Sequence, residues 1–218
     1  VNRSSILILQ HDPDAGPELI ADWAKSRGFS TEVLMVPELT EFPSPGDYRW
    51  VVPLGSERCA ADTEVDWIQA EASFLAGAHD SGTPVFGICF GAQLLAMALG
   101  GDVLPGTAAE VGWRDLEVDG PAPYSGRWFQ WHFDTFVVPG KAELLGQSEV
   151  GPEVFRQGDS VGVQFHPEVT LALIQRWLAV DGASLVQRGI DPELVLAGTP
   201  PSETVRRRAF RLFDEIMS

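Results

Sequence analysis

Gly87-Ile88-Cys89-Phe90-Gly91 sets a cysteine between two glycines, just after the apolar run Val85-Phe86-Gly87-Ile88. A strand that turns sharply into a helix holds the residue at the turn in strained backbone geometry. Flanking glycines remove side chains that would collide there. A nucleophile in such an elbow stands at the carboxyl end of its strand. The N-terminal amides of the following helix favour thiolate over thiol and can hold a developing oxyanion. The chemistry this frame suits is attack by sulfur on a carbonyl carbon. An inert buried thiol is the plain alternative for any lone cysteine, but here strand, helix and both glycines agree. Cys59, in the polar stretch Ser56-Glu57-Arg58-Cys59, has no such frame and is read as incidental.

A thiol nucleophile needs a base, and the base needs a partner that orients it. The chain has four histidines, His11, His79, His132 and His166. His166 follows the apolar strand Val161-Gly162-Val163-Gln164-Phe165 and precedes Pro167 and Glu168. Proline ends the strand and fixes the turn. His166 and Glu168 can then share one site, with the carboxylate on one ring nitrogen and the other nitrogen free to face the thiol. A surface histidine at a strand end is the alternative, and the elbow in the first half weighs against it.

These residues need a scaffold, and the first half of the chain reads as one. Ile6 to Leu9, Thr31 to Val36, Trp50 to Leu54 and Val85 to Ile88 are short aliphatic runs of the kind buried on both faces of a sheet. Helical spacing is expected over Pro17 to Arg27, Thr63 to His79 and Gln93 to Leu99. Strand and helix alternating in this way imply parallel strands with right-handed crossovers. From Glu110 to Val163 the texture changes to short alternating segments, Leu116 to Val118, Phe136 to Val138 and Val154 to Phe155, which read as antiparallel hairpins. Helices are expected over Leu171 to Leu178 and Ser202 to Met217, with Gly198 to Pro201 as a loop. The fold class is therefore α/β: an open, mostly parallel sheet with helices on both faces plus a small antiparallel section. A single domain over residues 1–218 is the economical reading, with a C-terminal helical extension from about 179 to 218.

Composition narrows the function. The chain has 218 residues, 44% hydrophobic and 21% charged, enough to bury a core without staples. A net charge of −16 repels nucleic acid and anionic membranes, so neither is expected as a partner. Solubility is the bland reading of that charge, and a docking face for a basic partner the sharper one. Two cysteines without CxxC spacing make neither a disulfide framework nor a zinc site. The run after Val1-Asn2-Arg3 is too short for a signal-peptide core, and no apolar stretch has the length of a membrane span, so a cytoplasmic location is expected. There is no G-x-x-x-x-G-K-[ST] phosphate loop and no metal-ligand spacing, so no cofactor and no metal are expected.

Gly87-Ile88-Cys89-Phe90-Gly91-Ala92-Gln93, followed far downstream by Gln164-Phe165-His166-Pro167-Glu168-Val169, resembles the signature pair of the class I, triad-type glutamine amidotransferases. The likeness spans roughly residues 6 to 178 and is similar to the glutaminase domain of GMP synthase. It implies a flavodoxin-like fold and a Cys89/His166/Glu168 triad acting on the side-chain amide of glutamine. It implies an oxyanion hole from the backbone amides of Gly55 and Phe90. Substrate contacts are implied at Gly55, Ser56, Gln93, Trp131, His132 and Phe133. Two departures stand out: Leu54-Gly55-Ser56-Glu57 replaces a Gly-Gly-Pro loop, and Ala92 replaces a histidine. His132 sits among Trp128, Phe129, Trp131, Phe133 and Phe136, so packing is the alternative to ligand contact.

Several functions fit this pattern. The first is a glutaminase that passes ammonia to a separate synthase or ligase subunit. The second is a stand-alone hydrolase of γ-glutamyl amides or peptides with the same triad, in which the aromatic cluster forms a larger leaving-group pocket. The third is a non-catalytic regulatory homologue. A related cysteine-elbow protein of the DJ-1 or intracellular-peptidase type is disfavoured, because Phe90 rather than His follows Cys89.

Overall fold

The computed structural model describes residues 4–62 and 64–217. In order, the chain forms β1 (Ser5–Gln10), α1 (Glu18–Ser26), β2 (Ser30–Met35), β3 (Trp50–Pro53), α2 (Asp66–Asp80), β4 (Phe86–Ile88) and α3 (Phe90–Ala98). It continues through β5 (Asp102–Leu116), β6 (Gly126–Val137), β7 (Glu143–Gln147), β8 (Pro152–Gln157), β9 (Ser160–Val163), α4 (Leu171–Gln187), α5 (Pro192–Leu196) and α6 (Ser202–Met217).

β1 pairs in parallel with both β2 and β3. A parallel bridge from Val51 to Val85 joins this group to β4, and β4 pairs in parallel with β9. β8 and β7 complete that edge in antiparallel sense. The strand order is thus β2-β1-β3-β4-β9-β8-β7. The long antiparallel hairpin β5–β6 is a separate ribbon that touches the main sheet through a bridge from Phe129 to His166.

β1 shows why the aliphatic runs fold this way. Alternate side chains of a strand point to opposite faces. Ile6 and Ile8 enter a core with Ile20 and Trp23 of α1 and Leu212 and Phe213 of α6. Leu7 and Leu9 enter the opposite core with Ile68 and Leu75 of α2 and Leu94 and Leu95 of α3. All four strand residues are fully buried, each worth about 1.5–3 kcal/mol relative to exposure.

Some expected boundaries move. α3 begins at Phe90 rather than Gln93, because the elbow feeds the helix with no spacer. α2 begins at Asp66; Thr63, its expected start, lies outside the described residues, as do Val1 to Arg3. α4 runs unbroken from Leu171 to Gln187, so the expected boundary near 179 falls inside a helix. α6 is part of the core: its Ala209, Leu212 and Phe213 are fully buried, and Asp214 bonds Trp23 of α1 and Arg27 just after it.

Candidate active site

Cys89 sits between β4 and α3 with φ 51 and ψ −110, a backbone conformation that L-residues rarely adopt. Two contacts hold it there. Its amide donates to Val163 O at the end of β9 (2.8 Å), and Gly91 N donates to Leu54 O just after β3 (3.1 Å). The carboxyl ends of β3, β4 and β9 therefore meet at this residue, the place where open α/β sheets gather ligands. The two glycines are required by space. A Cβ on Gly91 would lie 2.1 Å from Pro53 O, and one on Gly87 would lie 2.6 Å from Gly91 O. As the first residue of α3, Phe90 has an amide with no intrahelical acceptor.

His166 follows β9, and its amide donates to Phe129 O of β6 (2.8 Å). Its Nδ1 lies 2.7 Å from Glu168 Oε1. A carboxylate only accepts, so Nδ1 carries the proton and Nε2 is left for other work. Both side chains are buried, and Trp177 of α4 packs edge-on to the imidazole at 5.0 Å between ring centres. Burial is the largest single influence on the ring and opposes its charged form. The Glu168 carboxylate and the Cys89 sulfur, through charge and hydrogen bonding, outweigh it and push His166 up to about 10. The turn is anchored from α1: Leu19 N donates to Glu168 O (3.1 Å), and Thr170 Oγ1 donates to Glu18 Oε2 (2.9 Å).

Cys89 and His166 line one pocket with Gly55, Ser56, Trp131 and Trp177. The Cys89 sulfur lies 3.7 Å from Trp131 O and accepts from Gln164 Nε2 (3.6 Å). Gly55 lies directly against the imidazole, where an added Cβ would be 2.9 Å from His166 Cε1. A wider cavity of ≈ 520 Å³ also opens beside Cys89, walled by Gln93, Phe133, Cys59, Arg58 and Arg188 among others. The two spaces share Ser56, Glu57, Cys89, Trp131 and Asp181, so Cys89 stands in a continuous cleft. Burial and the mutual repulsion of Asp12, Asp14, Glu57 and Asp181 raise the carboxyls of Glu57 and Asp181.

Of the residues expected around substrate, Gly55, Ser56, Gln93, Trp131 and Phe133 border this cleft. Gln93 is buried, and its Nε2 is already engaged by Asp134 O and Gln164 Oε1 (both 3.2 Å). His132 also borders the wider cavity, while its ring bonds Asp134 O (3.0 Å) and faces Glu110 and Glu153. Strand alternation is the reason: in β6, residues 131 and 133 share one face and 130, 132 and 134 the other. On that second face burial, joined by the charge of Glu110 and opposed by a bond from Gln130, pushes Glu153 up to about 8.

Three residues near the thiol were not singled out from sequence. Gln164 is fully buried in the otherwise apolar run Val161 to Phe165, just after β9, and that mismatch is a readable signal. Trp177 lies on the buried side of α4 and carried no signal beyond helix periodicity. His11 was read only as part of a turn. It is buried, with Nδ1 3.1 Å from Gly55 O and Nε2 2.9 Å from Glu71 Oε2. Nothing near it in sequence announces this pair.

Among the described residues, no helix is long and apolar enough to cross a membrane. A family model described as "Glutamine amidotransferase class-I" matches residues 60–179. Curated relatives include "GMP synthase [glutamine-hydrolyzing]" of Tropheryma whipplei (strain Twist), 34% identical over 131 residues, 56% of this chain and 26% of that protein. The same description is carried by a protein of Rhizobium etli (strain CIAT 652), 39% identical over 150 residues, 63% of this chain and 27% of that one. The chain therefore spans about a quarter of the length of these relatives. A solved glutamine amidotransferase from Thermotoga maritima superposes with TM-score 0.89 at 27% identity, covering 100% of both chains. A glutamine amido transferase from Methylobacillus Flagellatus shares the fold at TM-score 0.82 and 22% identity, covering 97% of this chain and 93% of that one.

Proposed function

Because this chain belongs to the class-I glutamine amidotransferase family, whose model spans residues 60–179, we propose that it hydrolyses the side-chain amide of glutamine through Cys89, His166 and Glu168 and supplies the ammonia to a separate synthase. One observation carries the reading: Cys89 and His166 line the same pocket, with Glu168 2.7 Å behind the imidazole. The two curated relatives described above carry "glutamine-hydrolyzing" in their names, which supports glutamine as the substrate.

The Cys89 thiol proton passes to His166 Nε2, the sulfur attacks the amide carbon, and the carbonyl π-bond opens onto oxygen. The Phe90 and Gly55 amides hold that oxyanion, each such donor worth about 3 kcal/mol in the transition state. Two carbonyl anchors favour this role for the loop. Leu54 O accepts from Gly91 N (3.1 Å) and Gly55 O accepts from His11 (3.1 Å), so the peptides on either side of Gly55 are held in fixed orientations. The proton held by His166 passes to the leaving nitrogen, the C–N bond breaks, and ammonia departs from a glutamyl thioester. His166 then takes a proton from water as it adds to the thioester, the C–S bond breaks, and glutamate is released. Glu168 keeps the ring in the tautomer both steps need. At the wider end of the cleft, the guanidinium groups of Arg58 and Arg188 suit an α-carboxylate, and the acidic rim suits an α-ammonium.

The decisive measurement is glutamate and ammonia release from L-glutamine, with mass spectrometry for the acyl-enzyme. Wild-type protein is expected to turn over and Cys89→Ala to do neither; turnover by Cys89→Ala would remove the reading.

A second reading rests on the cavity beyond Cys89, whose volume of ≈ 520 Å³ leaves room for a leaving group larger than ammonia. On that reading the protein is a stand-alone hydrolase of γ-glutamyl amides. Comparing kcat/KM for glutamine and for γ-glutamyl dipeptides separates the two. A strong preference for the dipeptides selects the second.

A further inference from the structure

One buried polar cluster plays no part in the chemistry above. Glu110 of β5, His132 of β6 and Glu153 of β8 bring one ligand atom each within 4.8 Å of one another. All three residues are buried, Glu153 and His132 almost completely. His132 Nδ1 bonds Asp134 O (3.0 Å), and a carbonyl only accepts, so Nδ1 carries the ring proton. The neutral ring then presents the lone pair of Nε2 to Glu110 Oε2 (3.4 Å) and Glu153 Oε1 (4.0 Å). Neither Nε2 nor Glu153 Oε1 has a hydrogen-bond partner. Three potential ligand atoms thus face one another in a largely buried space, and such an arrangement is costly until a proton or a cation sits among them.

The surroundings are those of a ligand set rather than a packing accident. Metal-binding histidines usually donate their second N–H to a carbonyl or carboxylate, and ligating carboxylates are themselves hydrogen-bonded. Here Asp134 O fixes the His132 tautomer, Ser148 Oγ donates to Glu110 Oε2 (2.8 Å), and Gln130 Nε2 donates to Glu153 Oε2 (2.8 Å). We propose that Glu110, His132 and Glu153 bind one divalent transition-metal ion of the Zn²⁺ or Mn²⁺ type. One imidazole and two carboxylates suit such ions, whereas Mg²⁺ and Ca²⁺ favour all-oxygen sets. Tetrahedral ligands at zinc distances stand about 3.3 Å apart. The 3.4 Å pair is already there, and the 4.0 Å pair closes by a small rotation of the Glu153 carboxylate. The fourth position is left for water.

The role of the ion is positional. It ties both strands of the β5–β6 ribbon to β8 of the main sheet, which that ribbon otherwise meets mainly by packing and isolated bridges. The residues flanking His132, Trp131 and Phe133, wall the cleft beside Cys89, so the ion fixes the height of that wall. Sequence spacing shows no metal motif because the ligands come from three separate strands. The proposal does not depend on the activity proposed above.

The test uses the full chain carrying Cys89→Ser, so that the elbow thiol cannot capture metal. Co²⁺ is titrated by visible absorption, and Zn²⁺ and Mn²⁺ by equilibrium dialysis with metal analysis. The expected result is saturable binding of one ion per chain with a rise in Tm, lost when His132→Gln or Glu153→Gln is added, with far-UV circular dichroism showing both variants folded. Absence of saturable binding to the Cys89→Ser protein by any of the three ions overturns the proposal. Binding that survives His132→Gln overturns it as well, because the ion then sits elsewhere. Should either variant fail to fold, Glu110→Gln at the cluster's outer edge gives the same comparison.

Discussion

His11 and Gly55 are joined across the sequence: His11 Nδ1 lies 3.1 Å from the Gly55 carbonyl oxygen, and the opposite ring nitrogen lies 2.9 Å from Glu71 Oε2. Both partners are acceptors, so the ring satisfies both only when it carries two protons. Burial, the largest influence, opposes that charge, and Glu71 outweighs it, so the His11 pKa is raised. A buried ion pair therefore stands behind the loop assigned to the oxyanion. His11→Gln should lower kcat for glutamine about 10- to 100-fold with KM little changed, because the lost restraint acts on transition-state donors. It also strands the Glu71 charge, at a cost of about 3–5 kcal/mol in urea unfolding, and adding Glu71→Gln should recover much of that. A fall confined to KM would detach His11 from the oxyanion loop.

Glu168→Gln keeps the shape of the His166 partner and removes its charge. The ring then loses both its preferred tautomer and the carboxylate that stabilises the imidazolium. Glutaminase kcat should fall by about 10²-fold or more, with the fold intact by circular dichroism. Unchanged turnover would mean that Glu168 only supports packing.

The same pair predicts a pH dependence of stability. His166 is raised from its ordinary 6.5 to about 10, so the folded state holds its proton more tightly than the unfolded chain does. That contribution is complete below pH 6.5 and is lost as pH climbs toward about 10, with a slope of at most about 1.4 kcal/mol per pH unit. His11, also raised, adds in the same direction. Urea unfolding across this window should show the decline in wild-type protein and a shallower one in His166→Gln. Equal slopes would remove His166 as the cause.

Gly91→Ala drives a Cβ to 2.1 Å from Pro53 O and 2.6 Å from Pro53 C, backbone atoms of β3 that have little room to yield. The variant should lose about 3 kcal/mol or more, or fail to fold. Gly77→Ala offers the control. That glycine is in α2 with nothing within 4 Å of an added Cβ, and alanine there should stabilise by about 0.5–1 kcal/mol. Matching thermal scans would show whether the elbow glycine is demanded by space or is merely tolerated.

Gln164→Leu removes the amide that reaches Cys89 Sγ (3.6 Å) and accepts from Gln93 Nε2 (3.2 Å). Buried polar groups left without partners cost about 1–3 kcal/mol. Unfolding should register that loss, and alkylation of Cys89 by iodoacetamide should change in rate. An unaltered alkylation rate would mean that Gln164 supports only the packing around the thiol.

The strands of the parallel sheet, the helices beside them and the elbow were legible because each is written in consecutive residues, whereas most of the β5–β6 ribbon, β7 and α5 were not. Aliphatic runs alternate into two cores, helical stripes face the sheet, and two glycines bracket Cys89 in a turn that admits nothing larger. The His-Pro-Glu turn was equally local, since His166 and Glu168 are two residues apart and proline sets their angle. What remained hidden lies between distant segments. His11 meets Glu71 and Gly55, and Gln164 meets Cys89, only after β1, β3, β4 and β9 align. The fate of His132 was hidden for a related reason. Strand periodicity dictates that its side chain opposes those of Trp131 and Phe133, but not which face of the hairpin meets the cleft. That choice belongs to the packing of β5–β6 against the main sheet and α4, which turns His132 toward Glu110 and Glu153 and leaves the two aromatic residues beside the thiol. Residue order specifies the local geometry because backbone sterics and side-chain period act over a few neighbours. Partners far apart in the chain are chosen only when burial brings whole elements together.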